Sequence, residues 1–209
     1  MQYIFIGGPP RCGGTLINSI LCSNTKTNPL LRESHYFREL IQLYQRSKSV
    51  HSSLEETHYF ENEAALKHFS GEIARRFLEI VAKRYHCKEY LVLKSVSLTP
   101  LFPVLHEVLP SAKYIIVVRD PRDTISSQLN VGIKQEKLGK HNQFLRDIEK
   151  LAKDYMQYYA AAATSNDRSF YSCLLYVKLE DLIHNPIRNI ADIGNFTSIS
   201  LTSGKSVSV

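Results

Sequence analysis

No stretch of this sequence comes near the roughly 18 to 20 consecutive apolar residues that a membrane-spanning helix needs, although hydrophobic residues make up 44% of it. Nothing in it is expected to span a bilayer. Cysteine is scarce and scattered: Cys12, Cys22, Cys87 and Cys173 form no close pair at zinc-ligand or redox spacing, which argues against a disulfide framework or a metal site and for reduced thiols. The basic, apolar and small-residue zones of a secretory signal are missing too, since the chain opens directly on Tyr3-Ile4-Phe5-Ile6. A cytoplasmic location is the expectation. There is no internal repeat.

What is present fits one core. A length of 209 residues is ample for one substantial core and short for two, so residues 1–196 are expected to form a single domain. The remainder, 197–209, is rich in Ser and Thr, poorly patterned, and expected to be disordered. Lys and Arg exceed Asp and Glu by 26 to 20, leaving a net charge of +6. That balance suits an anionic ligand; a nucleic-acid binder would share it, so motifs must decide.

Four short apolar runs read as buried strands: Tyr3–Ile6, Tyr90–Leu93, Tyr114–Val118 and Cys173–Val177, each bounded by Gly, Pro, Asp or a charge. Helical patterns lie between them. Leu66, Phe69, Ile73, Phe77 and Ile80 recur at spacings of three and four and predict one buried stripe. A second face carries Phe144, Ile148, Leu151, Tyr155 and Tyr158, with Lys153 and Asp154 off it, and is also expected to be core. Strands that are apolar throughout and alternate with helices imply an α/β fold of three layers, a central parallel sheet with helices on both faces. Ligands of such sheets sit at the carboxyl ends of the strands. Residues 46–63 read as a polar excursion between helices.

The first strand runs into Gly7-Gly8-Pro9-Pro10-Arg11-Cys12-Gly13-Gly14-Thr15, followed by a predicted helix over Leu16–Cys22. Successive backbone N–H groups and the positive end of the helix make such a loop an anion site. Against the pattern G-x-x-x-x-G-K-S/T, Gly8, Gly13 and Thr15 match, but Gly14 stands where the lysine belongs. In ATP-using loops that lysine reaches the terminal phosphates. Here Arg11 is the loop's cation. Cys12, beside Arg11 at a helix N-terminus, is expected to have a depressed thiol pKa and to be the most reactive cysteine.

The run Pro10-Arg11-Cys12-Gly13-Gly14-Thr15 resembles the 5′-phosphosulfate loop of sulfotransferases that use 3′-phosphoadenosine-5′-phosphosulfate (PAPS), with Cys12 replacing a Ser and Gly14 a Thr. The segment Val118-Arg119-Asp120-Pro121-Arg122-Asp123-Thr124-Ile125-Ser126-Ser127 resembles the same family's 3′-phosphate segment, in which an Arg and a Ser eight residues later grip that phosphate. Leu93-Lys94-Ser95 sits where the family has a Lys approaching the transferring sulfonate. Tyr176, Glu180, Asp181, Leu182 and Pro186 follow a further stretch of the family, read as structural.

The resemblance implies a P-loop-like fold, PAPS as donor, adenosine 3′,5′-bisphosphate as product, and an acceptor hydroxyl on a peptide tyrosine, a carbohydrate or a small molecule. It gives the positive charge to a nucleotide rather than to nucleic acid. It assigns Arg11, Cys12, Gly13, Gly14, Thr15, Arg119 and Ser127 to the nucleotide, and Glu33, Arg11 and Lys94 to catalysis. Cytosolic small-molecule members place a His base two residues after the strand-end Lys; here that position is Val96. The tyrosylprotein and Golgi branches use a Glu after the loop helix, matched by Glu33-Ser34, with His35 as second candidate. The sulfonate carries less charge than a terminal phosphate, so no metal is expected. A kinase of the P-loop type and a non-catalytic nucleotide-binding module are the alternatives. Oligomeric state is not encoded in these motifs.

Overall fold

The computed structural model describes residues 1–50, 58–142, 144 and 146–201. Four strands, β1 (Gln2–Gly7), β2 (Tyr90–Lys94), β3 (Lys113–Val118) and β4 (Leu174–Lys178), form one parallel sheet in the order β2-β1-β3-β4. They coincide with the four apolar runs to within a residue or two. Parallel neighbours need long crossovers, and helices supply them. Between β1 and β2 lie α1 (Gly14–Cys22), α2 (His35–Val50) and α3 (Glu63–Arg84). A 3-10 turn (Thr99–Leu101) and α4 (Phe102–Val108) lead to β3. Then α5 (Pro121–Lys137), α6 (Ile148–Ala163) and α7 (Arg168–Ser172) lead to β4, and α8 (Leu179–His184) and α9 (Pro186–Thr197) follow it.

Alternation along the strands splits the core in two. Tyr3 and Phe5 point to the face shared with Leu91, Tyr114 and Ile116, covered by Phe37, Ile41, Leu78, Phe102 and Phe170. Ile4 and Ile6 point to the opposite face with Val92, Ile115 and Val117, covered by Ile17, Leu21, Leu182 and Ile193. Phe5 is 1% exposed, and burying such a side chain contributes about 1.5–3 kcal/mol. Helices thus cover both faces, as expected of the three-layer α/β arrangement. No helix among the described residues is long and apolar enough to cross a membrane.

Three sequence expectations are corrected. The inward face of α3 carries Leu66, Ser70, Gly71, Ala74, Leu78 and Ala82, whereas Phe69 is 49% and Ile80 56% exposed. Small residues win because α3 approaches α4 closely: a Cβ added to Gly71 would lie 2.9 Å from the Val108 carbonyl oxygen. The polar excursion over 46–63 begins inside α2, where Lys48 Nζ lies 2.8 Å from Glu107 Oε2 and Tyr44 donates to the same oxygen at 2.9 Å; residues 51–57 lie outside the described ones. The tail over 197–209 starts as packed structure. Thr197 and Ile199 are buried, and Ser198, with φ 63°, turns the chain so that its carbonyl accepts from Tyr90 Oη. Residues 202–209, including Lys205, lie outside the described residues.

Candidate active site

The chain leaves β1 to build β2 on one side and then β3 on the other, which makes the carboxyl end of β1 a switch point where a crevice opens. The loop from Gly7 to Thr15 fills it. Gly8 has φ 120°, and a Cβ there would lie 2.5 Å from the Val117 carbonyl oxygen, so only glycine lets the loop rest on β3. Arg11 holds a left-handed φ of 73°, a conformation that costs a side-chain-bearing residue about 1–2 kcal/mol. The surroundings hold it there. Gly8 N–H donates to Thr99 Oγ1 at 2.9 Å, Gln128 Nε2 to the Pro10 carbonyl at 2.9 Å, and Arg119 Nη1 to the Arg11 carbonyl at 3.0 Å. Gly13 caps α1 without any side-chain hydrogen bond, and the first N–H groups of a helix have no intrahelical partner.

The 3′-phosphate candidates converge beside this loop. Arg119 ends β3, and α5 begins at Pro121 with Asp120 as its cap, its carboxylate accepting from Arg122 N–H at 2.8 Å. Ser127, two turns into α5, accepts from Arg11 Nε at 3.2 Å. Arg11, Arg119 and Ser127 therefore form one donor-rich corner. Glu180 on α8 accepts from Asp120 N–H at 2.8 Å and Tyr155 Oη donates to the Arg119 carbonyl at 2.6 Å. These two contacts fix the turn that aims Arg119, which agrees with the structural reading of the Glu180 stretch.

Glu33 and Lys94 meet on the other side of the crevice. Lys94 Nζ lies 3.2 Å from Glu33 Oε1, while Glu33 Oε2 accepts from Val96 N–H at 3.0 Å and from Ser95 Oγ at 3.2 Å. The position without a histidine thus contributes its backbone N–H to the carboxylate. Partial burial by itself would raise the Glu33 pKa, but the Lys94 charge and the Val96 and Ser97 N–H groups outweigh it and hold the carboxyl below its ordinary value. His35 opens α2, is exposed, and does not line the cavity. A Cβ added to Gly14 would lie 3.8 Å from Lys94 Cγ and Cδ. Lys94, from the neighbouring strand, therefore occupies the space beside the position where a P-loop lysine would begin.

The expected reactivity of Cys12 is corrected. Cys12 is 2% exposed and belongs to the buried cluster of Ile4, Ile6, Ile17 and Leu21; its N–H donates to the Pro9 carbonyl at 3.3 Å. Burial pushes the thiol up to about 11, outweighing the nearby Gly14 N–H, Lys94 and Arg119. The sequence placed Cys12 at a positive helix end, but the turn points its side chain under the loop instead of into the crevice. Iodoacetamide at neutral pH should accordingly modify the half-buried Cys87 and Cys173 before Cys12, as read by peptide mass spectrometry. Alkylation of Cys12 first would mean that the loop stands open.

Arg11, Cys12, Gly13, Gly14, Thr15, Glu33, Lys94 and Arg119 all border one cavity of about 800 Å³, with Ser127 behind Arg11. The opposite wall was missed. It comprises Phe144, Lys150, Leu151, Asp154, Tyr155 and Tyr158, so the tyrosine face of α6 lines the cavity instead of serving only as core, and Ile148 is exposed. Lys150, Asp154 and Tyr158 recur every four residues beside Leu151 and Tyr155, a spacing that marks two adjacent rows and could have signalled a polar and an apolar edge. Burial raises the Tyr158 pKa, with Asp154 and Glu33 adding to it, so its hydroxyl stays protonated. Among the described residues no group of His, Cys, Asp and Glu could hold a metal ion.

A parallel α/β sheet with a glycine loop at its switch point, and cations brought to that loop by β2 and β3, defines a P-loop-like architecture. Residues 3–203 match the model of the sulfotransferase family, and the chain belongs to that family. It is 31% identical over 127 residues to the protein-tyrosine sulfotransferase of Drosophila melanogaster, covering 61% of this chain and 25% of that one. With human protein-tyrosine sulfotransferase 1 it shares 28% over 134 residues, 62% of this chain and 34% of the relative. The chain thus spans between a quarter and about a third of these curated relatives. Among solved structures, a sulfotransferase from Alicyclobacillus acidocaldarius superposes over 100% of this chain and 85% of its own at TM-score 0.61 and 15% identity. A sulfotransferase domain of the curacin biosynthetic pathway covers 97% of this chain and 75% of its own, at TM-score 0.59 and 15% identity. Both have the same fold.

Proposed function

We propose that the chain transfers the sulfonate of PAPS to an acceptor hydroxyl. The observation that carries this reading is the replacement, in space, of the P-loop lysine by Lys94 paired with Glu33 at the loop, opposite the Arg11–Arg119–Ser127 corner. A nucleotide with its 5′-phosphosulfate on the loop amides and its 3′-phosphate in that corner meets donors at both ends. Arginine forks favour phosphate geometry, and the fit needs no group the chain lacks.

In this reading Glu33 takes the proton from the acceptor hydroxyl as the acceptor oxygen bonds to sulfur. The bond from sulfur to the phosphate oxygen breaks, leaving adenosine 3′,5′-bisphosphate. Lys94 and Arg11 balance the charge that grows on the leaving phosphate and the sulfonate oxygens. Glu33 is already ionised because Lys94 and two N–H groups hold its pKa down. When Lys94 turns from Glu33 to the growing charge, the carboxylate becomes a better proton acceptor. Residues 1–196 act as one domain in this scheme. The aromatic wall of α6, with Leu151, Tyr155 and Tyr158 facing the cavity, suits a phenolic acceptor such as a tyrosine side chain, in keeping with the relatives' names.

Calorimetry provides the test. Adenosine 3′,5′-bisphosphate should bind at least about tenfold more tightly than ADP, roughly 1.4 kcal/mol, because ADP offers nothing to the 3′ corner. Labelled PAPS should pass its sulfonate to a tyrosine peptide, while ATP with magnesium should give no transfer. Equal or tighter ADP binding would favour the kinase reading and overturn this one. Binding without transfer to any acceptor would favour the non-catalytic module.

A further inference from the structure

The outward face of α3 takes no part in the cavity. Tyr36, Phe69, Ile73, Phe77 and Ile80 line a shallow groove there, with Tyr36 64%, Phe69 49% and Ile80 56% exposed. The Tyr36 and Phe77 rings lie 5.5 Å apart, so the stripe is continuous with α2. A contiguous apolar stripe of this kind, with charge at its centre, marks an interaction surface rather than scattered surface residues.

Glu72 and Arg76, both exposed, stand within the stripe. Each is two residues, about 3 Å of helix rise, from the level of Ala74, on opposite sides of it. We propose that this face receives a second copy of the chain, with α3 packed antiparallel on α3 about a two-fold axis at the level of Ala74. Such an axis exchanges the two charges, so Glu72 of each copy faces the partner's Arg76, twice in one interface. It also brings Phe69, five residues before the axis, against the partner's Ile80, six residues beyond it. Two-fold interfaces must be self-complementary in this way, and a parallel pairing would oppose like charges. The local competitors are weak: Glu72 lies 3.5 Å from His68 and Arg76 3.6 Å from Glu79, both long, exposed pairs that contribute little. The inference rests on α3 alone and is independent of sulfonate transfer.

Analytical ultracentrifugation at high micromolar concentration tests it. The wild-type chain of 23.9 kDa should sediment as a dimer. Glu72→Arg and Arg76→Glu should each be monomeric, since each sets like charges against each other across the axis. An equimolar mixture of the two variants should recover the dimer, because the mixed pair restores both attractions. Circular dichroism checks that these exposed substitutions leave the fold intact, and Ile80→Lys should give a monomer by the apolar route. A monomeric wild type overturns the proposal, as does a dimer that both charge variants leave intact. Variants that stay monomeric when mixed overturn the antiparallel register.

Discussion

Glu33→Gln should lower sulfonate turnover roughly 10²- to 10⁴-fold, the usual worth of a general base, while binding of adenosine 3′,5′-bisphosphate stays nearly constant. The substitution keeps the size of the side chain and an oxygen for the Val96 and Ser97 N–H groups, which now donate to Glu33 Oε2. What it removes is the carboxylate that can take a proton and that pairs with Lys94. His35→Ala should leave turnover near wild type, because His35 is exposed and lies off the cavity. The pH profile sharpens the result. Glu33 must be ionised to act, and its lowered pKa places the acid limb of kcat/KM below the ordinary glutamate range. Near-normal turnover in Glu33→Gln would remove it as the base, and a parallel loss of nucleotide binding would make it a positioning residue for Lys94.

Arg119→Ala should weaken adenosine 3′,5′-bisphosphate by about 1.5–3 kcal/mol, the range for hydrogen bonds to charged groups, or roughly 10- to 150-fold. ADP, without a 3′-phosphate, should lose far less. This contrast matters because Arg119 also donates to the Arg11 carbonyl, and loss of that contact alone would loosen the whole loop. If calorimetry shows the two nucleotides weakened equally, Arg119 acts by holding the loop and the 3′-phosphate lies elsewhere. Arg119→Lys should recover little, since one ammonium cannot hold the carbonyl and a phosphate with a planar fork.

Much of the site could be read along the chain because its parts are local. The glycine loop, the strand-end Lys94, and Arg119 with Ser127 each announce themselves within ten residues. Their meeting could not be read so directly. Glu33 and Lys94 are distant in sequence, and only the parallel pairing of β1 with β2 in the register Ile6 to Lys94 brings Lys94 alongside Gly14. The wall of α6 was misread for a related reason: Leu151, Tyr155 and Tyr158 show the same spacing whether they face a core or a cavity.

The sequence by itself determined the four strands and the parallel α/β class, since apolar runs alternating with helices imply a sheet covered on both faces; only the structure showed that β4 is an edge strand with Tyr176 44% exposed. The sequence also marked the loop proposed to hold the anion, because glycine alone tolerates φ 120° at Gly8 against the backbone of β3. Only the tertiary structure decided which way side chains turn once elements pack. The thiol of Cys12 went under the loop, because the left-handed turn at Arg11 directs it among Ile4, Ile6 and Ile17 and burial then outweighs the nearby positive charges. The small residues of α3 went inward, because close approach to α4 at Gly71 admits no bulk, and Phe69 and Ile80 were left to face outward.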